Sequence, residues 1–88
     1  AHTWGLIHRV VEDDTVADAT IDLATRLAAG PTAAFKEVKA LLVDNAAAPL
    51  HTVLNREAGA QQRLGASTDH AAAVEAFLAK TRPVFVGY

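Results

Sequence analysis

The sequence predicts a mainly α-helical chain, with one short N-terminal strand followed by about four helices. Three observations carry this. Twenty of the 88 residues are Ala, the strongest helix former and one that adds little buried area. From residue 16 onward the larger apolar side chains recur three and four positions apart, the period of a helix buried along one face. Breakers at Gly30-Pro31, Pro49 and Gly65 cut that pattern into helix-length pieces.

Leu6 to Val11 reads as the strand. Its two faces, Leu6, His8, Val10 and Ile7, Arg9, Val11, both carry apolar residues, so both are expected to be partly covered. A strand must pair to satisfy its backbone, and the only other candidate here is Val84-Phe85-Val86 beside Pro83. The strand is therefore an orphan. Glu12-Asp13-Asp14 suits a helix N-terminus, and a helix from about Thr15 to Ala29 places Val16, Ile21, Leu23, Ala24, Leu27 and Ala28 on a broad apolar face. Gly30 and Pro31 stop it.

Thr32 is a candidate cap for a second helix, about Ala33 to Asn45, with Phe35, Val38, Leu41 and Leu42 at helical spacing. Pro49 disfavours helix at Ala48 and begins the next one. That third helix, about Leu50 to Leu64, has Leu50, Val53, Leu54, Ala58, Gln61 and Leu64 on one side. Ser67, Thr68 or Asp69 could cap a fourth, about His70 to Lys80, with Val74, Phe77 and Leu78 expected to face inward. Arg82-Pro83 ends it, and an apolar tail runs to Tyr88.

A chain this size buries roughly 60–65% of its unfolded surface, and Ala fills it thinly. Its stability is expected to depend partly on something it packs against. The net charge of −2 offers no basic stripe for a nucleic acid. The absence of Cys excludes a disulfide framework and thiolate chemistry. No apolar run approaches the ~18 residues of a membrane span, and no stretch has the form of a signal peptide. The chain contains no Met. Either an initiator preceding Ala1 has been removed or Ala1 is internal to a longer protein, and the orphan strand favours the second.

Catalytic signatures are sparse. His2, His8, His51 and His70 lack metal-ligand spacing and read as surface or partly buried histidines. The lone serine, Ser67, sits in a capping context rather than a nucleophile elbow. Glu12 belongs to the helix-start run, and Glu37 and Glu75 sit beside apolar faces. Glu57 falls on the apolar stripe of the third helix. It would need a cation if buried, with Arg56, Arg63 and Lys39 available, so an ion pair or simple exposure is expected ahead of a general base. Lys80 and Arg82 at the end of the last helix complement its dipole, and Phe77, one turn earlier, reads as a core aromatic.

Taken in order, Ala1, Gly5-Leu6-Ile7 and Val10-Val11, then Gly30-Pro31-Thr32, Lys39, Glu57, Gln62-Arg63-Leu64, Ser67-Thr68-Asp69-His70, Ala76-Phe77-Leu78-Ala79-Lys80 and Pro83-Val84-Phe85 form a recognisable series. In this order and spacing the chain resembles the C-terminal segment of enoyl-CoA hydratase/isomerase enzymes, the crotonase superfamily. The resemblance covers essentially the whole chain, and the closing A-F-L-x-K-x-x-P-x-F is its most specific part. The Q-R-L, S-T-D-H and A-F-L-A-K pieces look most like bacterial members, which include isomerases of ring-epoxidised phenylacetyl-CoA.

The resemblance implies a fold in which residues 1–12 end a spiral core of repeated ββα units. Residues 13–88 would then form the C-terminal helical region that makes subunit contacts and helps close the acyl-CoA site. It implies a cytoplasmic homotrimer or dimer of trimers, acting in fatty-acid-type metabolism on a coenzyme A thioester substrate, with no tightly bound cofactor and no metal. It places the thioester-polarising N–H groups and the acid/base carboxylates upstream of Ala1, so no catalytic residue is expected here and the segment alone should be inactive. Phe77 and Lys80 match family positions near the adenosine end of CoA, with Lys80 paired to a phosphate and Arg82 a possible helper. One departure stands out. Where family members often carry Glu-Gly just before the aliphatic position occupied by Val74, this chain has Ala72-Ala73. The alternative is a free-standing helical module that works by self-association.

Overall fold

Four helices account for most of the chain in the computed structural model, which describes residues 1–88. After a 3-10 turn at Asp13–Thr15 come α1 (Val16–Ala28), α2 (Thr32–Asp44), α3 (Leu50–Gly65) and α4 (Thr68–Ala79). The four expected helices are present, with ends displaced by one or two residues. The caps differ more. Thr32 is the first residue of α2 and makes no capping bond, because Pro31 holds the N-cap position. Before α4 the cap is Ser67, whose side chain accepts from the His70 N–H at 3.1 Å and donates to the Leu64 carbonyl at 2.6 Å.

No strand forms, which corrects the reading of Leu6–Val11. Residues 1–6 instead fold into a turn. The Gly5 N–H donates to the His2 carbonyl at 2.9 Å and the Leu6 N–H to the Ala1 carbonyl at 3.1 Å, with Gly5 at a positive φ of 75° that glycine tolerates without strain. The physical reason lies in pairing. Residues 7–11 find no second extended segment, since Val84–Val86 is committed elsewhere, and a lone strand has no ladder. The segment lies beside α1, and together they line an open cleft of about 420 Å³ that includes Ile7, Val10, Val16 and Leu23.

Contacts run along the chain, from α2 to α3 and from α3 to α4, while α1 packs against the 3-10 turn. Only three residues are buried: Ala60, Asp69 and Ala76. The expected inward faces are therefore covered only in part, with Leu23, Leu41, Val53 and Leu64 half-buried and none of them fully buried. Leu42, Leu50, Phe77 and Leu78 are all more than 70% exposed. The half-buried positions are Ala33, Ala34, Glu37 and Leu41 on α2, Val53, Gly59 and Leu64 on α3, and Ala72 and Ala73 on α4. Small residues share these positions with Leu41, Val53 and Leu64, while the other large apolar residues of α2 to α4 stay exposed. The surface measures 7317 Å², against roughly 4,900 Å² for a compact monomer of this mass. The radius of gyration is 16.7 Å, against about 12 Å for a compact domain of this length.

Candidate functional site

The end of α4 carries the most unusual backbone in the molecule. Lys80 is the only non-glycine residue at positive φ, with φ 55° and ψ 38°. Its N–H donates to the Phe77 carbonyl at 3.2 Å, and the Thr81 N–H reaches back to the Ala76 carbonyl at 2.9 Å. This pair of bonds is a Schellman ending, in which the left-handed position is ordinarily glycine. A side chain there costs roughly 1–2 kcal/mol. Phe77 is 82% exposed and Lys80 is exposed. Phe77 is thus no core aromatic of this chain. One turn of helix presents an unshielded ring and an unshielded ammonium on the same corner, which suits a ligand with a flat aromatic group and a nearby anion. Arg82 follows on the same turn of chain, also exposed.

The other end of α4 is held differently. Asp69 is 4% exposed. Its carboxylate accepts from the Val86 N–H at 2.6 Å and from the Gly87 N–H at 3.0 Å, while its own N–H donates to the Tyr88 carbonyl at 3.0 Å. The tail leaves α4 at Lys80 and comes back to its first turn. Phe85 is half-buried and, with Pro31, Ala34, Leu64 and Ala73, lines an open cleft of about 270 Å³. Gly87 passes so close to α2 that a Cβ there would stand 2.9 Å from the Thr32 hydroxyl, and its φ of 90° also favours glycine. The sequence offered Asp69 only as one of three candidate caps. The surplus was the available clue, since Ser67 fills the cap and frees the aspartate for the tail.

Between α2 and α3 lies a bidentate ion pair, with Arg63 donating to the two Glu37 oxygens at 2.9 and 2.8 Å. The hydrogen bond from Arg63, reinforced by its charge, holds the Glu37 carboxyl below its ordinary value and raises the guanidinium. Arg56 donates to the Asp44 carbonyl at 2.6 Å and to Asn45 Oδ1 at 2.9 Å, tying α3 to the joint after α2. Glu57 has neither cation and is exposed. All four histidines are exposed, and no group of His, Asp or Glu is arranged to hold a metal ion. No helix is long and apolar enough to cross a membrane.

Comparison with known proteins sets this geometry beside a family. The enoyl-CoA hydratase/isomerase family model matches residues 1–87. The 1,2-epoxyphenylacetyl-CoA isomerase of Escherichia coli K12 is 40% identical over 87 residues, 99% of this chain and 33% of the relative. Among solved structures, an enoyl-CoA hydratase/isomerase from Mycobacterium abscessus superposes with a TM-score of 0.97 at 68% identity, over 100% of this chain and 34% of the other. An enoyl-CoA hydratase from Geobacillus kaustophilus HTA426 superposes with a TM-score of 0.91 at 28% identity, again over 100% of this chain and 33% of the other. The chain thus spans about a third of the length of the proteins it matches. On the match across residues 1–87, it belongs to the enoyl-CoA hydratase/isomerase family.

Proposed function

We propose that these 88 residues are the C-terminal part of an acyl-CoA hydratase/isomerase, where they make subunit contacts and close the coenzyme A site. The observation that carries this is the family match over residues 1–87 in a chain whose helices bury only three of their own residues. In this reading residues 1–12 end the core, and the outward faces of α1 to α4 meet that core or neighbouring subunits of a trimer or dimer of trimers. Such a protein works in the cytoplasm.

The parent polarises the thioester carbonyl with paired N–H donors, and preorganised donors of this kind stabilise the enolate oxygen as it forms. Those donors and the acid/base carboxylates lie upstream of Ala1. The chain's own contribution is to binding. Phe77 offers a ring face to the adenine, and Lys80 offers its ammonium to a CoA phosphate, with Arg82 alongside. No tightly held cofactor is required, because the CoA is part of the substrate.

Turnover tests this directly. The complete protein should convert an enoyl-CoA or an isomerisable acyl-CoA, and the 88-residue segment alone should not. Turnover by the segment would overturn the assignment of the chemistry upstream. The exposed apolar faces also fit a second reading, a self-associating helical module without catalysis. A native product of 9.2 kDa would favour the module, and one of enzyme length the parent.

A further inference from the structure

We infer that Asp69 is a positioning residue for the coenzyme A contacts, acting from the far end of α4 by latching the tail that holds Lys80 in its left-handed turn. The inference rests on the CoA reading above and extends it to a residue that touches no substrate.

The argument begins with the cost at Lys80. A left-handed lysine is disfavoured by its Cβ, and such a conformation persists only where its surroundings over-determine it. The local helix ending supplies two backbone bonds, but those bonds are also available when glycine stands there. The tail supplies the rest. It must turn at Lys80 to run back along α4, and it is anchored at the other end by Asp69 through the Val86, Gly87 and Tyr88 backbone.

The tail is also short. The 11 steps from Asp69 to Lys80 rise about 16.5 Å along the helix, while the six steps from Lys80 to Val86 reach about 20 Å when extended. A tail tied at both ends of the helix has fewer conformations open to it at its corner, and the corner is where Phe77 and Lys80 stand. Three features confirm that the anchor is built rather than incidental. The carboxylate is buried, both of its oxygens are used by consecutive N–H groups, and the Asp69 N–H is taken by the Tyr88 carbonyl. Hydrogen bonds to a charged acceptor are the strong ones, so the latch is able to offset the strain at Lys80.

The test uses the complete enzyme and compares an acyl-CoA with the same acyl group on pantetheine, which lacks the nucleotide end. The readout is the ratio of kcat/KM for the two thioesters. Asp69→Asn puts an NH2 against one of the tail N–H groups, and Val86→Pro removes a donor from the other side of the latch without touching Asp69. Both variants, with folding checked by Tm, should lower the ratio by roughly tenfold, about the weight of one charge-assisted contact. A general loss of structure would depress both substrates together and leave the ratio unmoved.

Lys80→Ala is the reference. If it lowers the ratio but the two latch variants leave it unchanged, the latch is overturned while the CoA reading stands. If Lys80→Ala itself leaves the ratio unchanged, the CoA reading falls, and the latch falls with it. Should Asp69→Asn fail to fold, Val86→Pro decides alone.

Discussion

Lys80 shows how a single residue can be set against its own backbone. Glycine would adopt the left-handed turn freely, and replacing lysine there should recover about 1 kcal/mol of local stability. Lys80→Gly in the complete protein should therefore slow amide exchange at the end of α4 while weakening affinity for the CoA substrate. Faster exchange would mean that the lysine side chain stabilises the turn through a contact of its own. Sequence reading singled out Lys80 and Phe77 only through the family resemblance, and it could not find the turn. A lysine at a helix end reads first as a charge complementing the dipole, and nothing in its neighbours signals positive φ. Asp69 was legible only as a capping candidate, because its true partners lie 17 and 18 positions away.

At the scale of the helices, what periodicity predicted was their existence rather than their contacts. The boundaries at Gly30-Pro31, Pro49 and Gly65 were readable because the breakers act locally. The packing faces were not. The sequence pattern picks out large apolar residues, yet the buried apolar residues of α3 and α4 are Ala60 and Ala76, with Val53 and Leu64 only half-buried. Ala60→Leu should accordingly cost about 1–3 kcal/mol through overpacking, seen as a lowered urea midpoint in the complete protein.

The Arg63–Glu37 bridge joins residues 26 apart, so no local rule predicts it. Its hydrogen bond lowers the Glu37 carboxyl below the ordinary 4.5. The unfolded chain then binds the proton more readily than the folded one. The bridge's contribution is present above pH 4.5 and is lost as pH falls through the lowered folded value. The difference in α2 and α3 amide protection between wild type and Glu37→Gln should be visible at pH 7 and shrink progressively on acidification below pH 4.5. A difference that persists in acid would mean that Glu37 acts through packing rather than charge.

The whole molecule exposes roughly 2,400 Å² more than a compact monomer of its mass. A standard interface covers about 800 Å² on each partner, so one ordinary contact would not hide the excess. The exposed large residues are spread over every element, from Trp4 and Leu6 through Ile21, Leu42 and Leu50 to Leu78 and Val84. This is why the orphan strand and the helix faces misled in the same direction: the hydrophobic pattern marks faces that the chain itself leaves uncovered. Area burial supplies most folding free energy, and ordering 88 residues opposes it at roughly 1–2 kcal/mol each. The segment by itself therefore has too little burial to hold a rigid fold. Expressed alone, it should show weakly protected amides and sedimentation that shifts upward with concentration, whereas the same helices in the complete protein should exchange slowly. Leu42→Ala sharpens the contrast. At a site 71% exposed in the segment the change should fall within about 0.5 kcal/mol, but covered in the complete protein it should cost about 2–5 kcal/mol. A small effect in the complete protein would mean that the face of α2 bearing Leu42 stays open, and that the excess surface is covered elsewhere.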